Sequence, residues 1–233
     1  MRTRICLIVV IGFGLATRGS FALDEAQEVG RGDGITLQSP DDPPCEGTFL
    51  LNSDGSYENG YAWSGGGNIP PDYGAFAEGF TATGMVCGIA YFFTQTGNYN
   101  GQTIDVYLYD SDGTNPLNVL SVMYGVSVSP PAFWPNVSQH DVAVDPVFVD
   151  GEFFVGFWGD WGYVDSGWYC AADLNGPGGK PRTNIAPGVW PEDGWQDPSI
   201  IWDPTQSMGI GAYVIEMPTP VAVTTWGRIK SLY

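Results

Sequence analysis

From residue 48 to residue 217 the chain alternates short apolar runs with clusters of Gly, Pro, Asn and Asp, and no helical repeat persists in that span. Successive side chains of a strand point to opposite faces, so a run that switches sides at every residue reads as a half-buried strand. Residues 103–109 (TIDVYLY) do this cleanly. Ile104, Val106 and Leu108 fall on one side, and Asp105, Tyr107 and Tyr109 on the other. Further strands are expected over 76–81, 86–94, 119–128, 141–149, 152–158, 167–171, 199–202 and 209–217. Asp150-Gly151 separates two of them and carries the signal of a two-residue hairpin turn. About nine short strands divided by turn residues predict an all-β chain folded as a single antiparallel β-sandwich. An aromatic share of 14% and 33 glycines suit strands joined by many loops.

The ends have a different character. Arg2 and Arg4 precede an apolar run over 5–16, followed by small residues around Ser20 and Ala22. This is the pattern of a secretory signal peptide, 1–22, cleaved after Ala22. The apolar run is about 12 residues, short of the ~20 that a membrane-spanning helix needs. Residues 23–45 are polar and aperiodic and are expected to form a flexible arm, leaving 46–217 as the β-domain. Pro218-Thr219-Pro220 then opens a tail, 218–233, whose only charges are Arg228 and Lys230. The expected location is extracellular or at the cell surface, with no membrane insertion after cleavage.

The formal net charge is −18, and all 26 acidic residues lie beyond Ala22. Such a surface repels phosphate backbones, which argues against nucleic acid as a partner. Cys6 falls in the leader, so Cys45, Cys87 and Cys170 remain. One disulfide is expected in an exported chain, with three pairings open. Cys87 and Cys170 both lie in strand-like segments, which favours Cys87–Cys170 and leaves Cys45 free.

Three constellations bear on chemistry. In Asp110-Ser111-Asp112-Gly113-Thr114-Asn115, oxygen donors alternate around a glycine turn, a pattern that suits Ca2+, with Asp110, Asp112 and Asn115 as candidate ligands. The competing reading is a hairpin whose carboxylates cap backbone amides. Asn52-Ser53-Asp54-Gly55 with Glu58 is a weaker set of the same kind. Trp161, Trp190 and Trp195 lie in glycine-rich loops beside carboxylates, where a flat ring could stack on a sugar face. Catalysis finds little support. His140 is the single histidine, is expected at the surface, and no Gly-x-Ser-x-Gly is present. Arg31-Gly32-Asp33 is a three-residue match to an adhesion tripeptide and reads as a chance turn.

Several segments carry a family resemblance. These are Asp54-Gly55 with Glu58-Asn59-Gly60-Tyr61, then VCGIAYFF, IDVYLYDSDG, FVDGEFFVGF, AADLNGPGG and the closing IGAYVIEM. Together they resemble bacterial secreted β-sandwich modules of jelly-roll type, which accompany secreted proteases or carry C-terminal sorting domains. The tail resembles short endings of exported bacterial proteins. The resemblance implies a jelly-roll-like sandwich with a non-catalytic accessory or interaction role, with a glycan or a cell-surface protein as the expected partner. The alternatives are a glycoside hydrolase using a loop carboxylate pair and a structural envelope protein.

Overall fold

The computed structural model describes residues 25–37, 43–97, 101–159 and 168–217. The leader 1–22 and the tail 218–233 lie outside the described residues. Among the described residues fourteen strands make one sheet: β1 (Ala26–Glu28), β2 (Ile35–Leu37), β3 (Thr48–Leu51), β4 (Asn59–Trp63), β5 (Phe76–Gln95), β6 (Thr103–Ser111), β7 (Pro116–Ser127), β8 (Ala132–Phe133), β9 (Asn136–Trp158), β10 (Trp168–Asp173), β11 (Pro181–Ile185), β12 (Gly194–Gln196), β13 (Ser207–Met208) and β14 (Ile210–Glu216). The protein is all-β and mostly antiparallel, and no α-helix occurs among the described residues. The count exceeds the nine expected because short segments such as β1, β2, β3, β4 and β11 also pair. No helix among the described residues is long and apolar enough to cross a membrane.

Two long strands organise everything. β5 has 20 residues and β9 has 23, and they pair antiparallel from Phe76–Phe157 to Phe93–Ser138. The sequence pattern predicts a hairpin at Asp150-Gly151, and the structure corrects it. Asp150 sits opposite Thr83 and Gly151 opposite Ala82, so β9 continues through both. Thr83 Oγ1 donates to Asp150 Oδ1 at 2.8 Å, and Gly151 takes φ 95° within the strand. A turn signal gives way when a neighbouring strand is long enough to pair both halves. The expected strands 76–81 and 86–94 merge in the same way into β5.

Both long strands are irregular near the middle. Val86 faces Val147 while Gly88 faces Ala143, so Val144, Asp145 and Pro146 oppose Cys87 alone. Pro146 lacks an N–H and is accommodated at this irregularity. The expected strand 199–202 is instead a short 3-10 turn, Pro198–Ile200, started by Asp197, whose carboxylate accepts from Ser199 N. Proline at the first position of that turn favours the helical φ.

The sheet curls about one main core. Phe76, Phe80, Ile104, Val106, Leu108, Phe153, Val155 and Phe157 meet Ile89, Tyr91, Phe93, Trp168 and Ile210 in a single buried cluster. The opposite face of β5 at Ala90 and Phe92 packs on Tyr57, Val137 and Tyr213. Aromatic rings dominate both, and each buries a large apolar area.

The polar segment 23–45, read as a flexible arm, contributes two strands where it is described. β1 pairs with β4, and β2 pairs in parallel with β9. The arm is also tied covalently, because the disulfide is Cys45–Cys87 and Cys170 is free and buried. This corrects the expected Cys87–Cys170 pair. Cys170 belongs to the main core, whereas Cys87 packs on the opposite face, so the two side chains lie on different sides of the sheet.

Candidate functional site

The outer edge of β5 positions the candidate site. β9 covers one edge of β5 from Phe76 to Phe93, and β8 continues it at Thr94–Gln95. Along the other edge β11 pairs at Phe76–Glu78, β14 at Gly84–Tyr91 and β10 at Phe93–Gln95. Gly79 N still donates to Lys180 O, and Thr83 O accepts from Met217 N. Between them, Phe80, Thr81 and Ala82 have no strand partner on that edge among the described residues. A groove of about 490 Å³ opens there, lined by Phe49, Leu50 and Leu51 of β3, by Phe80 and Thr81, and by the Lys180–Glu152 ion pair. Among the described residues β3 pairs only with β14, and its Phe49, Leu50 and Leu51 line the groove. Phe49 is 37% exposed and stacks on Tyr213 at 4.7 Å.

Glu78 lies beneath the groove and has no solvent exposure. Its Oε1 accepts from Asn52 Nδ2 and Lys180 N, both at 2.7 Å, and Oε2 accepts from Met208 N at 2.8 Å. Burial pushes its carboxyl up to about 7 against those hydrogen bonds. A Cβ at Gly179 would overlap Glu78 Oε1, so glycine is what lets the loop close over the carboxylate. Glu152 behaves oppositely. Partial burial raises it, but hydrogen bonds from Lys180 and Ser111 outweigh that and hold it below its usual value.

Two carboxylates with diverging acidities can form an acid–base pair when both face one substrate. These two do not. Glu78 shares the inward parity of Phe76 and Phe80, while Glu152 stands opposite Thr81 on the other face of the ladder. Sequence reasoning missed Glu78, although the alternation Phe76-Ala77-Glu78-Gly79-Phe80 puts a carboxylate at an inward position, and that was the available signal.

The residues singled out from sequence are placed differently. Asp110 accepts from Asn118 through both oxygens, at 2.5 and 2.9 Å. Asp112 Oδ1 caps the amides of Thr114 and Asn115, which lowers its pKa. Asn115 Oδ1 accepts from Arg182 Nε at 2.7 Å, which brings a cation to the loop. These donors serve local turns, and among the described residues no three His, Cys, Asp or Glu side chains are grouped to hold a metal. In the weaker set, Asp54 caps Ser56 and Glu58 accepts from Leu174 N.

Trp161 lies outside the described residues. Trp190 and Trp195 are half-buried, Trp190 against the main core and Trp195 edge-on to Tyr109 at 5.4 Å. They do not form one exposed platform. His140, expected at the surface, is 4% exposed. Its ring nitrogens lie 3.0 Å from Ser129 Oγ and 2.8 Å from Ser138 Oγ, and burial pushes its pKa down to about 4. The neighbouring Asp141 bonds Gln139 and Tyr213 instead. Arg31 of the Arg-Gly-Asp tripeptide is held by both carboxylate oxygens of Asp203.

No family model matches the chain, and neither a curated protein nor a solved structure matches it.

Proposed function

We propose that this chain is an exported, non-catalytic interaction module of jelly-roll-like sandwich form, and that it receives an extended peptide in the groove between β3 and β5. The observation that carries this reading is the stretch Phe80–Ala82, which has no strand partner among the described residues on an edge paired to either side of it. An extended chain added there gains main-chain hydrogen bonds, while Phe49, Leu50 and Phe80 offer apolar contacts to alternate side chains. The Cys45–Cys87 disulfide supports an oxidising, extracytoplasmic location. The main core draws on both halves of β5, as expected if the curled sheet closes face to face as a sandwich.

Arrays of extended peptides and of glycans, probed with the full chain, test the reading. Thr81 shares the parity of Gly79 and Thr83, whose backbone groups face the gap, so Thr81→Pro removes a donor there without touching the β9 ladder. Peptide binding lost in Thr81→Pro is the expected result. Binding to glycans alone, or peptide binding unchanged in Thr81→Pro, would reject it.

A second reading, a self-assembling envelope protein, has one observation in its favour. β7 is an edge strand of 12 residues without a charge, and it exposes Leu117, Val119, Leu120 and, at 70%, Tyr124. Sedimentation that shows concentration-dependent assembly, abolished by Val119→Lys, would favour this alternative.

A further inference from the structure

We infer that residues 128–135 form an acid-released strap over one end of the main core, with His140 as its bolt. The segment leaves β7, carries β8 and enters β9. Val128 packs on the main core and Pro131 is buried. Gln95 Nε2 donates to Pro131 O at 2.5 Å, Thr94 Oγ1 to Ala132 O at 3.2 Å, and Trp134 N to Gln95 O at 3.0 Å. The strap in turn holds the arm. Ile35 N donates to Pro135 O at 2.9 Å, and a Cβ on Gly32 would stand 3.0 Å from the Trp134 ring.

His140 closes the strap from beneath. Its Nδ1 meets Ser129 Oγ, which belongs to the strap. Its Nε2 meets Ser138 Oγ, which also accepts from Ala132 N at 2.9 Å. A neutral imidazole has one donor and one acceptor nitrogen, so Nδ1–H can donate to Ser129 while Ser138 donates to Nε2. A second ring proton removes that acceptor. Ser138 Oγ then faces two donors, and its own proton must turn to Phe93 O at 3.4 Å, a poor bond.

The surroundings offer the charged ring no compensation. From β5, Tyr91 stands opposite His140 and its neutral hydroxyl donates to Gly156 O, while the Phe93 ring lies at 5.7 Å. Trp168 of β10 lies behind Phe93. From β9, Val142 shares the inward row, whereas Asp141 has the opposite parity and bonds Gln139 and Tyr213. Burial alone therefore disfavours the ring's charge, and lifting the strap returns water to it. The open form binds the proton with the ordinary pKa of 6.5, the closed form only near 4. The open form thus holds more protons, and acid favours it. Linkage makes the opening equilibrium rise about twentyfold from pH 7 to pH 5. Glu78 does not offset this, because its partners Asn52, Lys180 and Met208 all lie outside the strap.

Hydrogen exchange on the full chain at pH 7 and pH 5, with rates divided by the intrinsic ones, tests the inference. The amides of Ala132, Trp134 and Ile35 should lose about twentyfold in protection, with little dependence on dilute urea, while amides of the β5–β9 ladder keep theirs. His140→Gln should hold the three amides constant over the same range. Unchanged protection in the unaltered chain, an equal loss in the ladder, or a loss that persists in His140→Gln overturns the inference. A second measurement needs no variant. The chain has one histidine, so its ring proton signal is unambiguous in a nuclear magnetic resonance titration. A midpoint near 4 is expected, and a midpoint near 6.5 would mean a ring already in water and no bolt.

Discussion

Glu78 and His140 act on stability in opposite directions over the same pH range, and single substitutions should separate them. Glu78 has a folded pKa of about 7 against the ordinary 4.5, because burial disfavours its charge. The folded chain then holds a proton that the unfolded chain has released, so this group costs stability as pH rises from 4.5 towards 7. His140 has a folded pKa of about 4 against 6.5, because burial keeps the ring neutral. Here the unfolded chain binds the extra proton, so stability falls as pH drops from 6.5 towards 4. Between about pH 5 and about pH 7 each contributes a change of about 2 kcal/mol, with opposite sign. The unaltered protein should therefore show a nearly flat profile over that range. Glu78→Gln removes the falling contribution, so its stability should rise by about 2 kcal/mol from pH 5 to pH 7. It should also lose about 1–3 kcal/mol at pH 5, because a carboxamide cannot accept from Met208 N with its NH₂ end. His140→Gln should show the reverse slope. Urea unfolding followed by tryptophan fluorescence, with the disulfide intact, measures both. Profiles for Glu78→Gln and His140→Gln that run parallel to the unaltered protein would refute the reasoning.

Loss of the disulfide in Cys45→Ala/Cys87→Ala should lower stability by about 4 kcal/mol, from a sequence separation of 42, and urea midpoints read it. Cys170 should react with iodoacetamide only in denaturant, because it is buried in the main core and its thiol pKa is raised by that burial. Gly88→Ala would place a Cβ on Pro44 and should cost about 1–3 kcal/mol by displacing the arm, measured by the same unfolding assay. The melting midpoint should not change with EDTA, because the oxygens of Asp110, Asp112 and Asn115 already serve local donors. A drop of several degrees would restore a metal at that loop.

What could be read from sequence was the local alternation. Ile104, Val106 and Leu108 face the core as their spacing requires, and the apolar residues of 152–158 are buried. What could not be read was which neighbour each strand meets. Asp150-Gly151 carries a hairpin signal, yet β5 pairs straight across it, and that competition exists only in three dimensions. The short strands β1, β2, β11 and β12 owe their pairing to sheet edges offered by distant residues, and three to five residues are too few to show a period of their own. The disulfide turned on which face each cysteine occupies, and the irregularity at Cys87 disturbs the parity from which that would be counted. The groove was invisible for a related reason, since a gap on a strand edge is a property of the partners that stop short. The loop residues proposed as ligands share one ambiguity. Asp, Asn and Gly are the chemistry of metal loops and of tight turns alike, and here the turns use the oxygens.

Everything said of the groove depends on β5 and β9 running unbroken past one another, since that leaves β5 with a second edge to offer. Nuclear Overhauser contacts around Asp150-Gly151 decide it most directly. Contacts from Gly151 to Ala82 and from Asp150 to Thr83 are predicted. Short-range contacts between Val149 and Glu152, with none to β5, would mean a tight turn at that point and would remove both the long pair and the site it creates.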